Sequence, residues 1–333
     1  MDPCVLNKTQ ADGRQLTILL HVDDLMILGS ITEIDLVVDS LREKYGEVSE
    51  HDGPVVPYIG MLFDFSGDRV RISMNKYVDD LISEYSVTGV ANSPASDSLF
   101  EVDEASERLL KKDADIFHSR VAKLLYLAKR VRPEILPAVS FLTSRVLEPT
   151  KEDMNKLNRV LKYLNKFPHL GIGLSSVDGM KIFGYVDVSF ATDKEFKSRT
   201  GVFVTLGNGP VYIDSTRQKL NTKSSTESEL VGVSEGSNNI FWLRNFLIEQ
   251  GYRMDPATVF QDNQSTLSLL RNGRSTNKAT RHINIRYFYL KNKVEAGELV
   301  LEYKPTEDML ADIMTKPLQG EKFLNMRDEL LNW

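Results

Sequence analysis

Cysteine is almost missing from this chain. Its 333 residues hold one, Cys4, which excludes an internal disulfide and any zinc site built from several thiolates, and fits a reducing intracellular setting. No apolar run approaches the ~20 residues of a membrane span. Residues 1–30 show no basic stretch leading into a cleavable apolar one. The pattern H-E-x-x-H is absent as well, which argues against a histidine-dependent zinc nuclease. Neither an internal repeat nor a low-complexity tract interrupts the chain. What is left, 41% hydrophobic and 26% charged, is the composition of soluble, globular material long enough for two or three domains.

Acid is missing too, but only locally. The net charge of −6 taken alone argues mildly against a nucleic-acid binder. Yet Asn263 to Val294 contains no Asp or Glu, while Arg271, Arg274, Lys278, Arg281, Arg286, Lys291 and Lys293 supply seven positive charges. A solvated helix face is the ordinary account of such a run. The stretch "ASDSLFEVDEASE", residues 95–107, is by contrast acidic and loop-like.

The pattern of apolar residues divides the chain into three textures. In "LLHVDDLMILGS", residues 19–30, two short apolar runs flank Asp23-Asp24, which reads as a buried hairpin. Residues 32–46 have helical spacing and end on Gly46. Residues 58–85 then read as strand, Ser-Gly-Asp turn, strand and helix, with a second "VDD" at Val78–Asp80 on what would be a solvated helix face. Residues 93–115 resemble a linker, and a helical segment follows with breaks at Pro133, Pro137, Pro149 and Pro168. Beyond it come three strands, a long helix over roughly 225–250, and alternating strands and helices, which together indicate an α/β domain with a mixed sheet.

Several acids in that last part stand out. Asp187 lies in "GYVDVSF", on a strand expected to be central, where an ionised carboxylate is costly unless paired or metal-bound. Asp262 sits where a strand gives way to a helix, so helix capping would by itself account for it. Glu227 and Glu229 are two residues apart on the long helix and point in directions roughly 200° apart. Glu227 follows Ser224 by three and can close a capping box, whereas Glu229 immediately precedes Leu230. Asp312, between Leu310 and Ile313, has the plain reading of an exposed helical acid. Taken together, four hard oxygen donors converging at one end of a sheet are what two Mg²⁺ ions require. One ion would turn a water into a nucleophile, and the other would steady a departing 3′ oxygen.

These residues closely resemble a known family. "GYVDVSFATDKEFKSRTG", "SSTESELVGVSE", "QDNQSTLSLL", "TRHINIRYFYLKNKV" and "EYKPTEDMLADIMTKPL" resemble, in order, the ribonuclease H domain of copia-type LTR retrotransposon polyproteins. Upstream, "LLHVDDLMILGS", "YIGMLFDF", "KYVDDLI" and the segment from Leu124 to Leu164 resemble the late palm and the thumb or connection of the same family's reverse transcriptase. The resemblance implies a truncated reverse transcriptase palm over 1–97, helical thumb or connection over 98–175, and a ribonuclease H-like domain over 176–333.

What the family does is then the expectation here: hydrolysis of the RNA strand of RNA–DNA hybrids by two Mg²⁺ ions, with Mn²⁺ as a substitute. Its catalytic acids fall on Asp187, Glu229, Asp262 and Asp312, with Glu229 preferred to Glu227 because it precedes the apolar run "LVG". Lys219, Arg281 and Arg286 become phosphate contacts, and His282, beside Arg281, is a structural or backbone-contacting residue before it is an acid for product release. Asp23-Asp24 resemble the polymerase YVDD turn, with His21 where the family most often has Tyr, and the third polymerase acid belongs to a strand upstream. No DNA synthesis is therefore expected of this chain alone. Partners would be hybrid nucleic acid and other parts of the polyprotein, with no membrane, in a cytoplasmic virus-like particle or the nucleus. Two departures are visible: Ser189 stands where the family usually carries a second Asp, and Phe190 where Trp commonly follows. Two other readings stay open, a non-catalytic nucleic-acid-binding relic and a polymerase completed by an upstream fragment. Metal-dependent cleavage separates the first, and primer extension with the fragment the second.

Overall fold

A computed structural model describes residues 2–333 except 177–178, 194 and 273–280, and leaves out the side chains of 272 and 281–284. Three sheets follow one another along the chain. Strands β1 (Val5–Thr9), β2 (Gln15–His21) and β3 (Asp24–Leu28) form an antiparallel sheet, followed by helix α1 (Ile31–Tyr45). Ser30 and Glu33 make a capping box at the start of α1, and Gly46 ends it at a φ of 87°. The hairpin is less buried than its apolar runs predict. Leu16 and Met26 are covered, but Leu20, Leu25 and Leu28 are exposed, because three strands and one helix hold too little surface to enclose the pair.

The second sheet joins β4 (Val55–Tyr58), β5 (Met61–Asp64) and β6 (Val70–Ser73) to β7 (Ile172–Leu174), about a hundred residues further on. Helix α2 (Asn75–Glu84) buries Val78 and leaves Asp79 and Asp80 at the surface, as its pattern predicts. The segment expected to be a linker is packed instead. Ser93, Ala95 and Leu99 are buried, and α3 (Lys111–Ala128) has already begun by Lys111. Pro133 opens a single 3₁₀ turn, and Pro137 lies in the first turn of α4 (Leu136–Thr143), where no backbone bond is lost. Helix α5 (Lys151–Lys166) starts on a Thr150 capping box.

The third sheet has five strands in the order β10-β9-β8-β11-β12. Strands β8 (Ile182–Ser189), β9 (Arg199–Leu206) and β10 (Pro210–Arg217) are antiparallel, whereas β11 (Ala257–Gln261) and β12 (Leu299–Tyr303) run parallel to β8. This is the mixed sheet that the sequence predicts. Helices α6 (Ser225–Glu249), α7 (Gln264–Asn272) and α8 (Arg281–Glu295) share a core with Val186, Val202, Val204 and Val259 on one face.

The opposite face belongs to a larger core. Phe203 joins α3, α4, α5, the short α9 (Asp312–Thr315) and α10 (Gly320–Leu331) there, in a cluster running from Ile72 to Leu331. Within this cluster Arg132 and Glu134 form a fully buried ion pair at 2.7 Å. The Tyr163 hydroxyl lies 3.4 Å from Glu134, while Arg132 Nη2 and Glu134 Oε2 find no partner among the described residues.

Candidate metal centre

The strand register alone brings two acids side by side. Tyr185 of β8 stands opposite Phe260 of β11 in a parallel pair. Two residues further along, each strand reaches an aspartate, Asp187 and Asp262, at the carboxyl ends of neighbouring strands. Such ends are where open α/β sheets bind their ligands. Helix α6 crosses one face of the sheet and brings Glu229 down onto the pair. Oxygens of Asp187, Glu229 and Asp262 all lie within 4.8 Å of one another, and Asp187 and Glu229 are buried.

Each acid is held by its own partner. Gln261 donates from Nε2 to Glu229 Oε2 at 3.0 Å, and its Oε1 accepts from the Asn263 backbone at 3.0 Å, so Gln261 is fixed at both ends. The Thr315 hydroxyl donates to Asp187, and the Thr306 hydroxyl donates to Asp262 Oδ2 at 2.8 Å. Helix capping does not occupy Asp262: the N-terminus of α7 is capped by Asn263, whose side chain accepts from the Thr266 backbone at 3.0 Å. Glu227 does serve the N-terminus of α6. Its backbone donates to Ser224 at 3.2 Å, and its carboxylate accepts from the Lys223 backbone at 2.8 Å.

The electrostatics of the cluster are adverse to its own ionisation. Burial, then the neighbouring Asp187 and Asp262, push the Glu229 carboxyl up to about 9. Burial likewise raises Asp187 to about 6, against the pull of Lys316. Three carboxyl groups packed this closely call for added positive charge. A set of hard oxygen donors such as this is compatible with a divalent cation.

Asp312 is placed differently. It is buried rather than exposed, at the start of α9 on the sheet face opposite α6, and it is not a member of the three-acid cluster. Its Oδ1 pairs with Lys316 Nζ at 2.6 Å, its Oδ2 faces Lys322 Nζ at 3.7 Å, and the same Lys316 reaches Asp187 at 3.7 Å. Sequence reasoning missed Lys316, Gln261, Thr306 and Thr315. Only the spacing of Asp312 and Lys316, four apart on a helix, hinted at any of them.

Among the described residues, none of the other predicted residues is a member of this cluster. Asp23 and Asp24 are exposed at the tip of the β2–β3 hairpin, beside His21, and no third acid gathers with them among the described residues. Lys219 is exposed. Arg286 is half-buried and pairs with Glu235 of α6 at 3.4 Å. Arg281 begins α8, but its side chain and that of His282 lie outside the described residues. Ser189, at the position of the family's second aspartate, donates to the Thr315 carbonyl at 3.0 Å. Among the described residues, no helix is long and apolar enough to cross a membrane.

Comparison with known proteins gives the chain its relatives. No family model matches it. The retrovirus-related Pol polyprotein from transposon RE1 of Arabidopsis thaliana is 30% identical over 322 residues, covering 94% of this chain and 21% of that protein. The corresponding polyprotein from transposon TNT 1-94 of Nicotiana tabacum is 25% identical over 331 residues, 97% of this chain and 25% of its own length. A solved ribonuclease H1 isolated from compost matches 40% of this chain and 92% of its own at 16% identity and a TM-score of 0.32. The chain spans about a fifth to a quarter of the length of the curated relatives it matches. Over nearly its whole length, then, the chain is a homologue of copia-type retrovirus-related Pol polyproteins.

Proposed function

We propose that the chain hydrolyses the RNA strand of RNA–DNA hybrids, with residues 176–333 as the nuclease unit and Mg²⁺, or Mn²⁺ in its place, as cofactor. The observation that carries this reading is the convergence of Asp187, Glu229 and Asp262 within 4.8 Å at the carboxyl end of β8. Bound divalent cations would supply a polarised water and positive charge opposite the departing 3′ oxygen. Asp187 and Asp262, adjacent in register, are the residues to hold them. Glu229, oriented by Gln261, would join them as a ligand and help position the attacking water, while Thr315 fixes the carboxylate of Asp187. Asp312 would complete a second, more mobile position. RNA would be told from DNA by its 2′-hydroxyl, and Lys219, Arg281 and Arg286 would meet phosphates.

Residues 1–97 would belong to a polymerase palm of which Asp23 and Asp24 are two of three acids. With no third acid beside them among the described residues, primer extension by this chain alone is not expected.

Cleavage of a labelled RNA–DNA hybrid in Mg²⁺ tests the reading, with Asp187→Asn and Glu229→Gln beside the parent. The expected result is metal-dependent cutting of the RNA strand that either substitution lowers by about 100-fold or more. A parent that binds the hybrid yet leaves it uncut in both Mg²⁺ and Mn²⁺ overturns it.

A further inference from the structure

The acids around Asp187 divide into two unlike groups. On the α6 side, Asp187, Glu229 and Asp262 face one another within 4.8 Å. On the α9 side, the space between Asp187 and Asp312 contains an ammonium. Lys316 Nζ lies 2.6 Å from Asp312 Oδ1 and 3.7 Å from Asp187 Oδ2. Lys322 faces the other oxygen of Asp312 at 3.7 Å. Both oxygens of this buried aspartate therefore already face positive charge.

An ammonium has roughly the reach and sign of a small cation, but it cannot share its position with one. A dication entering between Asp187 and Asp312 would meet strong repulsion from Lys316 at that range. The lysine is also free to leave. It is tethered to a four-residue helix, its side chain is 38% exposed, and its four-carbon stem gives the charge several rotamers. We propose that Lys316 stands in for the second divalent cation in the resting site. The free protein then loads one ion, at Asp187, Glu229 and Asp262. The Asp187–Asp312 position opens only when the ammonium is drawn off, for which a phosphodiester of bound nucleic acid is the natural counter-anion. This rests on the reading of the acids as cation ligands.

The test counts Mn²⁺ bound to the free protein, from the electron paramagnetic resonance signal of the unbound ion, and requires no turnover. Parent, Lys316→Met, Lys316→Gln and Lys316→Arg are compared at the same Mn²⁺ concentrations, with thermal melts to establish that each is folded. Two neutral variants are used so that one misfolded protein does not decide the result. The expected outcome is one ion per chain for the parent and Lys316→Arg, and two for the neutral variants. A parent that binds two ions, or neutral variants that bind no more than the parent, overturns the proposal while leaving the acids as cation ligands. Absence of Mn²⁺ binding by every protein, parent included, overturns both this proposal and the metal reading beneath it.

Discussion

Gly201 stands directly opposite Asp187 in the antiparallel pair of β8 and β9. A Cβ there would lie 2.7 Å from Met314 Cβ, 2.8 Å from the Ala311 carbonyl and 2.8 Å from Thr315 Cγ2. The missing side chain is what lets α9 rest on the sheet close enough for Thr315 to reach Asp187. Gly201→Ala should therefore destabilise the fold by about 1–3 kcal/mol, the usual range for overpacking, measured by urea unfolding. It should also weaken Mn²⁺ binding. A variant with unchanged stability would show that α9 can shift without cost.

The raised carboxyl groups give stability a definite pH dependence. Glu229 ionises in the folded chain near 9 instead of 4.5, and Asp187 near 6 instead of 3.8. Between those values the folded state holds protons that the unfolded state has released, so metal-free stability falls as pH rises from about 4 to about 9. Glu229→Gln removes the upper part of that slope. In chelator at about pH 8 it should melt above the parent, and at about pH 4 the two should coincide. Parallel melting curves across the range would contradict the buried, mutually repelling arrangement. Added Mn²⁺ should raise the melting temperature of the parent more than that of the variant.

Gln261 is held at both ends, between Glu229 and the Asn263 backbone, and it is completely buried. Gln261→Leu keeps the approximate volume but removes the donor that aims Glu229. Metal affinity should fall by about 10–100-fold, as when the outer partner of a ligand is lost, with little change in hybrid binding. Equal losses in both would instead point to collapse of the strand end.

The buried pair Arg132–Glu134 makes a prediction about stability alone. Removing one charge strands the other in a dry core, so Glu134→Ala should cost about 3–5 kcal/mol. Replacing both, as Arg132→Met with Glu134→Leu, should recover most of that. A double variant no better than the single one would mean that the bond to the Pro168 carbonyl, 3.4 Å from Arg132, matters more than the pair.

Much of this was legible in the residues, and the limits are equally specific. Asp187, an acid on an expected central strand, and Asp262, at a strand-to-helix change, were each weak signals that became nominations only as part of the four-acid order and its family resemblance. The choice of Glu229 over Glu227 came from the family resemblance, whose acid precedes the apolar run, and the structure brings Glu229 to the other two acids while Glu227 serves the helix end. Asp312 was nominated for the site, but its plain reading as a surface acid failed. Its burial comes largely from β8, β9 and α4 packing against α9, contacts between residues more than a hundred positions apart. Lys316 was invisible for the same reason, since a lysine four after an aspartate looks like any helical pair until Asp187 is folded beside it. Strand β7, three residues long, carries too short a pattern to be read at all. The hairpin at Asp23-Asp24 erred in the other direction, its apolar letters promising a burial that so small a sheet does not provide.

The larger core also sets an order of events during synthesis. It begins with Ile72 and is completed by Leu330 and Leu331 of α10, while the carbonyl of Asn332 accepts from Arg69 at 2.9 Å. At ribosomal speeds, the roughly 260 residues between these ends take on the order of tens of seconds to appear. From the completion of α5 until then, the cluster lacks α10, whose Phe323 packs on Tyr163, and its apolar residues are open to chaperones or to one another. A nascent chain stalled before α10 should therefore be captured or degraded, even though every strand of the acid-bearing sheet has already been synthesised.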